Sequence, residues 1–88
     1  MANVETADMI GRSRTVTAHA LLEGRADLSA YPFQLLTVIS QRGVGVERVG
    51  FVVAAAEMLM QYGWDLVNVG EFAGSNVACA FMRRRPPV

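Results

Sequence analysis

The chain has 88 residues and carries eight arginines, no lysine and eight acidic side chains, so its formal net charge is zero. This length allows one domain, and a hydrophobic fraction of 52% with only 18% charged residues excludes an intrinsically disordered chain. Because the charges are also balanced between the two halves, the composition excludes a broadly basic nucleic-acid-binding module.

We divide the chain into residues 1–30, an N-terminal arm or packing segment, and residues 31–88, the main domain. Residues 1–14 mix small and polar side chains without a sustained period, which predicts an arm that is mobile or is ordered by a partner. Residues 15–23 fit either a strand or a short helix that Thr17 caps and Gly24 ends. Their alanines and leucines favour the helix, which we prefer, whereas the Thr-Val-Thr start favours a strand.

The remaining residues predict a β-α-β-β order. The strands are expected at residues 33–40, 64–72 and 76–83, and the amphipathic helix at residues 46–62. Gly43 and Gly45 belong to a loop before the helix, Gly63 ends the helix, and Gly74 lies in a short turn that makes the last two strands an antiparallel hairpin. The fold class is therefore α+β, with a small three-stranded mixed or antiparallel sheet, one main helix and an N-terminal arm or short helix.

The predicted helix has two apolar lines. The core line consists of Val49, Val52, Val53, Ala56, Leu59 and Met60. The second line, on the face that a surface helix normally keeps polar, consists of Phe51, Ala55, Met58 and Tyr62.

The last strand is also apolar on both sides, with Val77, Cys79 and Phe81 on one side and Ala78, Ala80 and Met82 on the other. One helix covers only one face of a three-stranded sheet, so the second face needs a cover. The cover is the N-terminal segment, a second copy of the chain or a different protein. For an interface with a partner we predict the residues Phe51, Ala55, Met58, Tyr62, Ala78, Ala80 and Met82.

The segment Gly63-Trp64-Asp65-Leu66-Val67-Asn68-Val69, which follows the predicted helix and opens the hairpin, is distinctive. With the basic and proline-rich end of the last strand, it resembles the small bacterial family catalogued as domain of unknown function 4177. The resemblance covers about residues 33–86 and implies a strand-helix-strand-strand order. It implies no activity, substrate or catalytic residue, and the N-terminal extension is outside it.

The residues that commonly carry chemistry are sparse. His19 is the single histidine and Cys79 the single cysteine. His19 and Glu23 are four residues apart and could share a helix face, but a metal needs three or four ligands. The apolar neighbours of Cys79 disfavour the charged thiolate, which would make it a poor nucleophile. We therefore expect no catalytic residue, no metal site and no cofactor.

The run Arg83-Arg84-Arg85 is the strongest charge feature of the chain. It could contact nucleic-acid phosphates, or it could block unwanted pairing at the end of a strand, and we favour the second interpretation.

Three functions remain. The first is a non-enzymatic interaction or assembly module, either homo-oligomeric or an accessory subunit of a larger complex. The second is nucleic-acid binding or regulation through the three arginines, and the third is a subunit with a ligand or active site at an oligomer interface. No signal sequence is recognised, and the longest charge-free apolar stretch is too short to cross a membrane, so we expect a cytoplasmic protein without membrane contact.

Overall fold

The computed structural model describes residues 4–41, 46–72 and 76–86. The elements in chain order are α1 (Ala7–Ser13), β1 (Thr15–Thr17), α2 (Ala18–Leu22), β2 (Leu35–Ser40), α3 (Val46–Met60), β3 (Trp64–Phe72) and β4 (Val77–Arg84). The four strands form one mixed sheet in the order β1-β2-β4-β3, in which β1 is parallel to β2 and the other neighbours are antiparallel. The α+β class is confirmed, but the sheet has four strands where we predicted three.

The extra strand comes from the segment for which strand and helix were both open. Thr15–Thr17 pairs with residues 37–39 of β2, and the chain turns directly into α2. The turn occurs here because the hydroxyl of Thr17 accepts the backbone N–H of Ala20 at 3.2 Å, as a helix N-cap does. The preferred short helix is thus right for Ala18–Leu22, and the Thr-Val-Thr start is a strand.

Residues 4–14 are packed on the domain and include a helix that we did not predict. Thr6 caps α1 by accepting the backbone N–H of Met9, and Arg14 ends it in a left-handed conformation with φ of 60°. Ile10 on this helix is buried in the core. Upstream of α1, the backbone of Glu5 pairs with the segment around Ala26. The N-terminal segment therefore contributes to the same core as the sheet.

The core lies between α3 and one face of the sheet. The buried residues of α3 are Val52, Ala55, Ala56 and Leu59, and those of the facing strands include Val16, Leu36, Val38, Ala78, Ala80 and Met82. Val53 and Met60, which we placed in the core line, are exposed. Compared with the predicted core line, the buried side of α3 is rotated toward Ala55. Helix α2 packs along this side of α3, where the centroids of the His19 and Phe51 rings are 4.5 Å apart.

The helix-hairpin junction follows the prediction closely. Gly63 has φ of +95°, a conformation that costs glycine little and stops α3. The β3–β4 pair is antiparallel, with a register irregularity between Leu66 and Asn68. The predicted glycines 43, 45 and 74 are outside the described residues. No helix in the described part of the chain is long and apolar enough to cross a bilayer.

Candidate functional site

Four of the seven predicted interface residues are inside the folded chain. Ala55, Ala78, Ala80 and Met82 are at most 1% exposed and belong to one core cluster. The even-numbered side chains of β4 point toward α3, and Ala55 points back toward the sheet. The prediction that these four residues contact a partner is therefore wrong.

The other three predicted interface residues lie along or just beyond α3. Phe51 and Met58 are half-buried and pack against the core, Phe51 beside His19 of α2. Tyr62 follows the end of α3 and is 70% exposed. The N-terminal segment thus packs beside Phe51 and covers this part of the apolar line.

The sheet face that points away from α3 is a second surface, which we call the outer sheet face. Strand register assigns to it Thr15, Thr17, Leu35, Thr37, Ile39, Asp65, Asn68, Gly70, Val77, Cys79, Phe81 and Arg83. Leu35 is 59% and Phe81 38% exposed, and Ile39 and Val77 are half-buried. Among its described side chains the charged ones are Asp65 and Arg83, which are opposite each other at one end. The other residues named above are uncharged.

The arginine run does not form a single patch. Strand β4 continues to Arg84, so Arg83 is on the outer sheet face and Arg84 is on the side of α3. Arg85 donates to the carbonyl oxygen of Met60 at 2.7 Å and to Oδ1 of Asp65 at 2.8 Å. Of these three arginines, only Arg83 has a side chain that makes no hydrogen bond to the described residues. Two of the three arginines thus stabilise the fold through hydrogen bonds, and the charges of the run are spread over different surfaces.

A groove of about 820 Å³ lies between the C-terminal part of α3, residues 26–34 and the end of β4. Its apolar lining residues are Leu21, Ala26, Leu28, Met58, Leu59, Tyr62 and Trp64, and its polar ones include Ser29, Gln34, Arg84 and Arg85. The sequence gives no sign of this groove, because its walls come from four separate parts of the chain. The segment between α2 and β2 forms one of these walls.

Arg84 is held in place on the groove wall by aromatic and main-chain contacts. Its guanidinium carbon lies 4.8 Å from the Trp64 ring centroid, and Nη2 donates to the carbonyl oxygen of Tyr31 at 2.9 Å. Tyr31 is buried, and its hydroxyl donates to the carbonyl oxygen of Leu35 at 2.7 Å. Burial raises the pKa of the Tyr31 phenol above its ordinary value, although the charges of Arg14 and Arg84 oppose this shift.

A smaller, polar cavity of about 310 Å³ lies where the parallel strands β1 and β2 end, lined by Glu5, Thr17, His19, Arg25, Ile39, Ser40 and Gln41. Both carboxylate oxygens of Glu5 are engaged, accepting the backbone N–H of Thr17 at 3.0 Å and its hydroxyl at 2.6 Å. Glu23, the proposed companion of His19, pairs with Arg25. No group of three or more metal-ligating side chains converges within the described ranges. The two hydrogen bonds between Thr17 and the Glu5 carboxylate join the N-terminal segment to the sheet.

No family model, curated protein or solved structure matches this chain. The resemblance carried by residues 63–69 therefore stays a prediction. Trp64, its most distinctive residue, is buried against the core beside Tyr31 and Arg84.

Proposed function

We propose that the protein is a non-enzymatic assembly module and that it associates with a second copy of itself through the outer sheet face. The observation that supports this is the exposure of Leu35 and Phe81 on a face whose other described side chains are nearly all uncharged. Sheets pack face to face by burying such side chains, and an exposed apolar surface favours association.

The charges at the end of the face favour a second copy as the partner. Asp65 and Arg83 occupy paired positions, and Asp65 also accepts a hydrogen bond from Arg85 through Oδ1. One acidic and two basic side chains therefore meet at this end, so its net charge is small and a strongly charged partner gains little from it. In a two-fold contact the same patch is used by both chains, and each Arg83 can approach the Asp65–Arg85 pair of the other copy from the carboxylate side.

The buried thiol of Cys79 fits a reducing compartment such as the cytoplasm, because the chain has no second cysteine with which to form an internal disulfide. Assembly would then depend on apolar contact and not on a covalent link.

A charge placed on the outer sheet face tests the proposal. Leu35→Asp introduces a carboxylate at a position that is already 59% exposed, so the isolated fold tolerates it. We expect light scattering after size exclusion to give twice the 9.5 kDa chain mass for the unaltered protein and the single mass for this variant.

Val46→Asp is the matched control, because Val46 is 84% exposed at the start of α3 and is not on the outer sheet face. It should retain the dimer mass. If Leu35→Asp and Val46→Asp both remain dimeric, the interface is elsewhere. If the unaltered protein is a monomer that binds a different protein through this face, the accessory-subunit alternative replaces self-association.

A further inference from the structure

We infer that the groove between α3, residues 26–34 and the end of β4 binds an apolar monocarboxylate, whose carboxylate pairs with Arg84. This site is on the α3 side of the sheet, so it is separate from the outer sheet face and does not depend on the proposed assembly.

The shape and lining of the groove fit a small amphipathic ligand. Its volume of about 820 Å³ is within the range of small-molecule sites, roughly 300–1,000 Å³. Leu28, Met58 and Tyr62 offer an apolar wall for an acyl chain or ring, and Trp64 lines the groove beside Arg84. Such a lining with a few polar groups is typical of ligand pockets.

The charge of Arg84 selects the ligand's head group. Arg84 is half-buried, yet it makes no ion pair with any acidic side chain in the described part of the chain; its polar contact is the neutral carbonyl of Tyr31. Its neighbour Arg85, in contrast, is neutralised by Asp65 at 2.8 Å. Partly buried charges are normally paired, and a guanidinium matches a carboxylate in two parallel hydrogen bonds. An anionic ligand in the groove would supply the missing charge.

The position of Arg84 is also fixed before a ligand arrives. The Trp64 ring under its guanidinium and the Tyr31 carbonyl restrict the side chain. A prepositioned donor loses less conformational entropy on binding than a free surface arginine does.

Octanoate and 1-octanol are the probes, since they share an apolar chain and differ in charge. Trp64 is the only tryptophan and lines the groove, so its fluorescence reports occupancy directly. We expect saturable binding of octanoate and at least about tenfold weaker binding of octanol, because octanol lacks the charge that pairs with Arg84.

Arg84→Gln should weaken octanoate binding by about tenfold or more and leave octanol binding unchanged. Arg83→Gln is the matched control, one residue earlier on the opposite face of β4, and should bind octanoate like the unaltered protein. Circular dichroism establishes that each variant is folded.

Two results would overturn the inference: equal affinity for octanoate and octanol, or no saturable response of Trp64 to octanoate below its micelle concentration. If Arg84→Gln fails to fold, Tyr62→Ala takes its place, since Tyr62 is an exposed part of the wall and its truncation should weaken both probes. Unchanged binding of both probes by Tyr62→Ala would also refute the site. The chain mass measured in the same samples keeps this test separate from that of self-association.

Discussion

Replacing Arg85 by methionine tests whether the arginine run serves the fold. The Arg85 guanidinium connects the end of α3 with the start of β3, through hydrogen bonds to the carbonyl oxygens of Met60 at 2.7 Å and Trp64 at 3.3 Å and an ion pair with Asp65 at 2.8 Å. Its own backbone N–H donates to the carbonyl oxygen of Gly63 at 2.8 Å. Methionine keeps the apolar stem and this backbone bond, and removes the three side-chain contacts.

The structure limits the expected loss of stability to about 0.5–2 kcal/mol. The side chains of Arg85 and Asp65 are 43% and 39% exposed, so solvent reduces their ion pair to about 0.2–1 kcal/mol. A cation at the C-terminal end of a helix contributes about 0.3–1 kcal/mol. The hydrogen bond to a helix carbonyl belongs to the same interaction and is not added again. In a domain of this size, each kcal/mol lowers Tm by about 4–8 °C.

Urea unfolding followed by circular dichroism measures this loss, with Arg83→Met as the matched control. Arg83 belongs to the same run, but its side chain is on the outer sheet face without a hydrogen bond to the described residues. The control should lie within about 0.5 kcal/mol of the unaltered protein. Equal losses for the two variants would refute the structural interpretation of Arg85.

Three further predictions concern the core and the helix-hairpin junction. Ile10→Ala should lower the free energy of unfolding by about 2–5 kcal/mol in urea titrations, because Ile10 is 1% exposed. Met9→Ala is the control and should have little effect, because Met9 is 52% exposed. Equal effects of the two substitutions would contradict the packing of α1. Gly63→Ala should cost about 1–2 kcal/mol in the same assay because φ is +95°, and an unchanged stability would show that no left-handed turn is needed. Since burial raises the folded-state pKa of Tyr31, its contribution is fully present below the unfolded value of about 10 and is lost as pH rises through the folded pKa. Thermal melts should therefore lose stability above about pH 10, and Tyr31→Phe should show a smaller loss; parallel curves would contradict this.

The elements near Gly63 could be predicted because several sequence signals agree there. Apolar periodicity defines α3, the glycine ends it, and β-branched and aromatic residues continue on both sides of a short turn. These signals place β3 at the observed residues, β4 within one residue at each end, and α3 at its observed start but two residues too long at its end.

The faces of these elements could not be predicted in the same way. Strand β4 is apolar on both sides, so alternation does not say which side meets the helix. Packing decides this: Ala78 and Ala80 have small side chains, which permit the close approach of Ala55 and Ala56 on α3. The larger Phe81 remains on the outer sheet face, half-exposed.

The N-terminal segment and the groove were missed because they depend on tertiary contacts. Strand β1 has three residues, too few for a periodic signal, and it forms by pairing with β2. Helix α1 buries a single large residue, Ile10. The position of Arg84 on Trp64 joins residues that are 20 apart in the sequence, and no local pattern indicates that contact.

The mass of the unaltered protein across a concentration series tests the central claim most directly. Sedimentation equilibrium should give a mass that approaches twice 9.5 kDa at high concentration and falls to 9.5 kDa on dilution, as a reversible pair requires. A mass of 9.5 kDa at every concentration would contradict self-association through the outer sheet face.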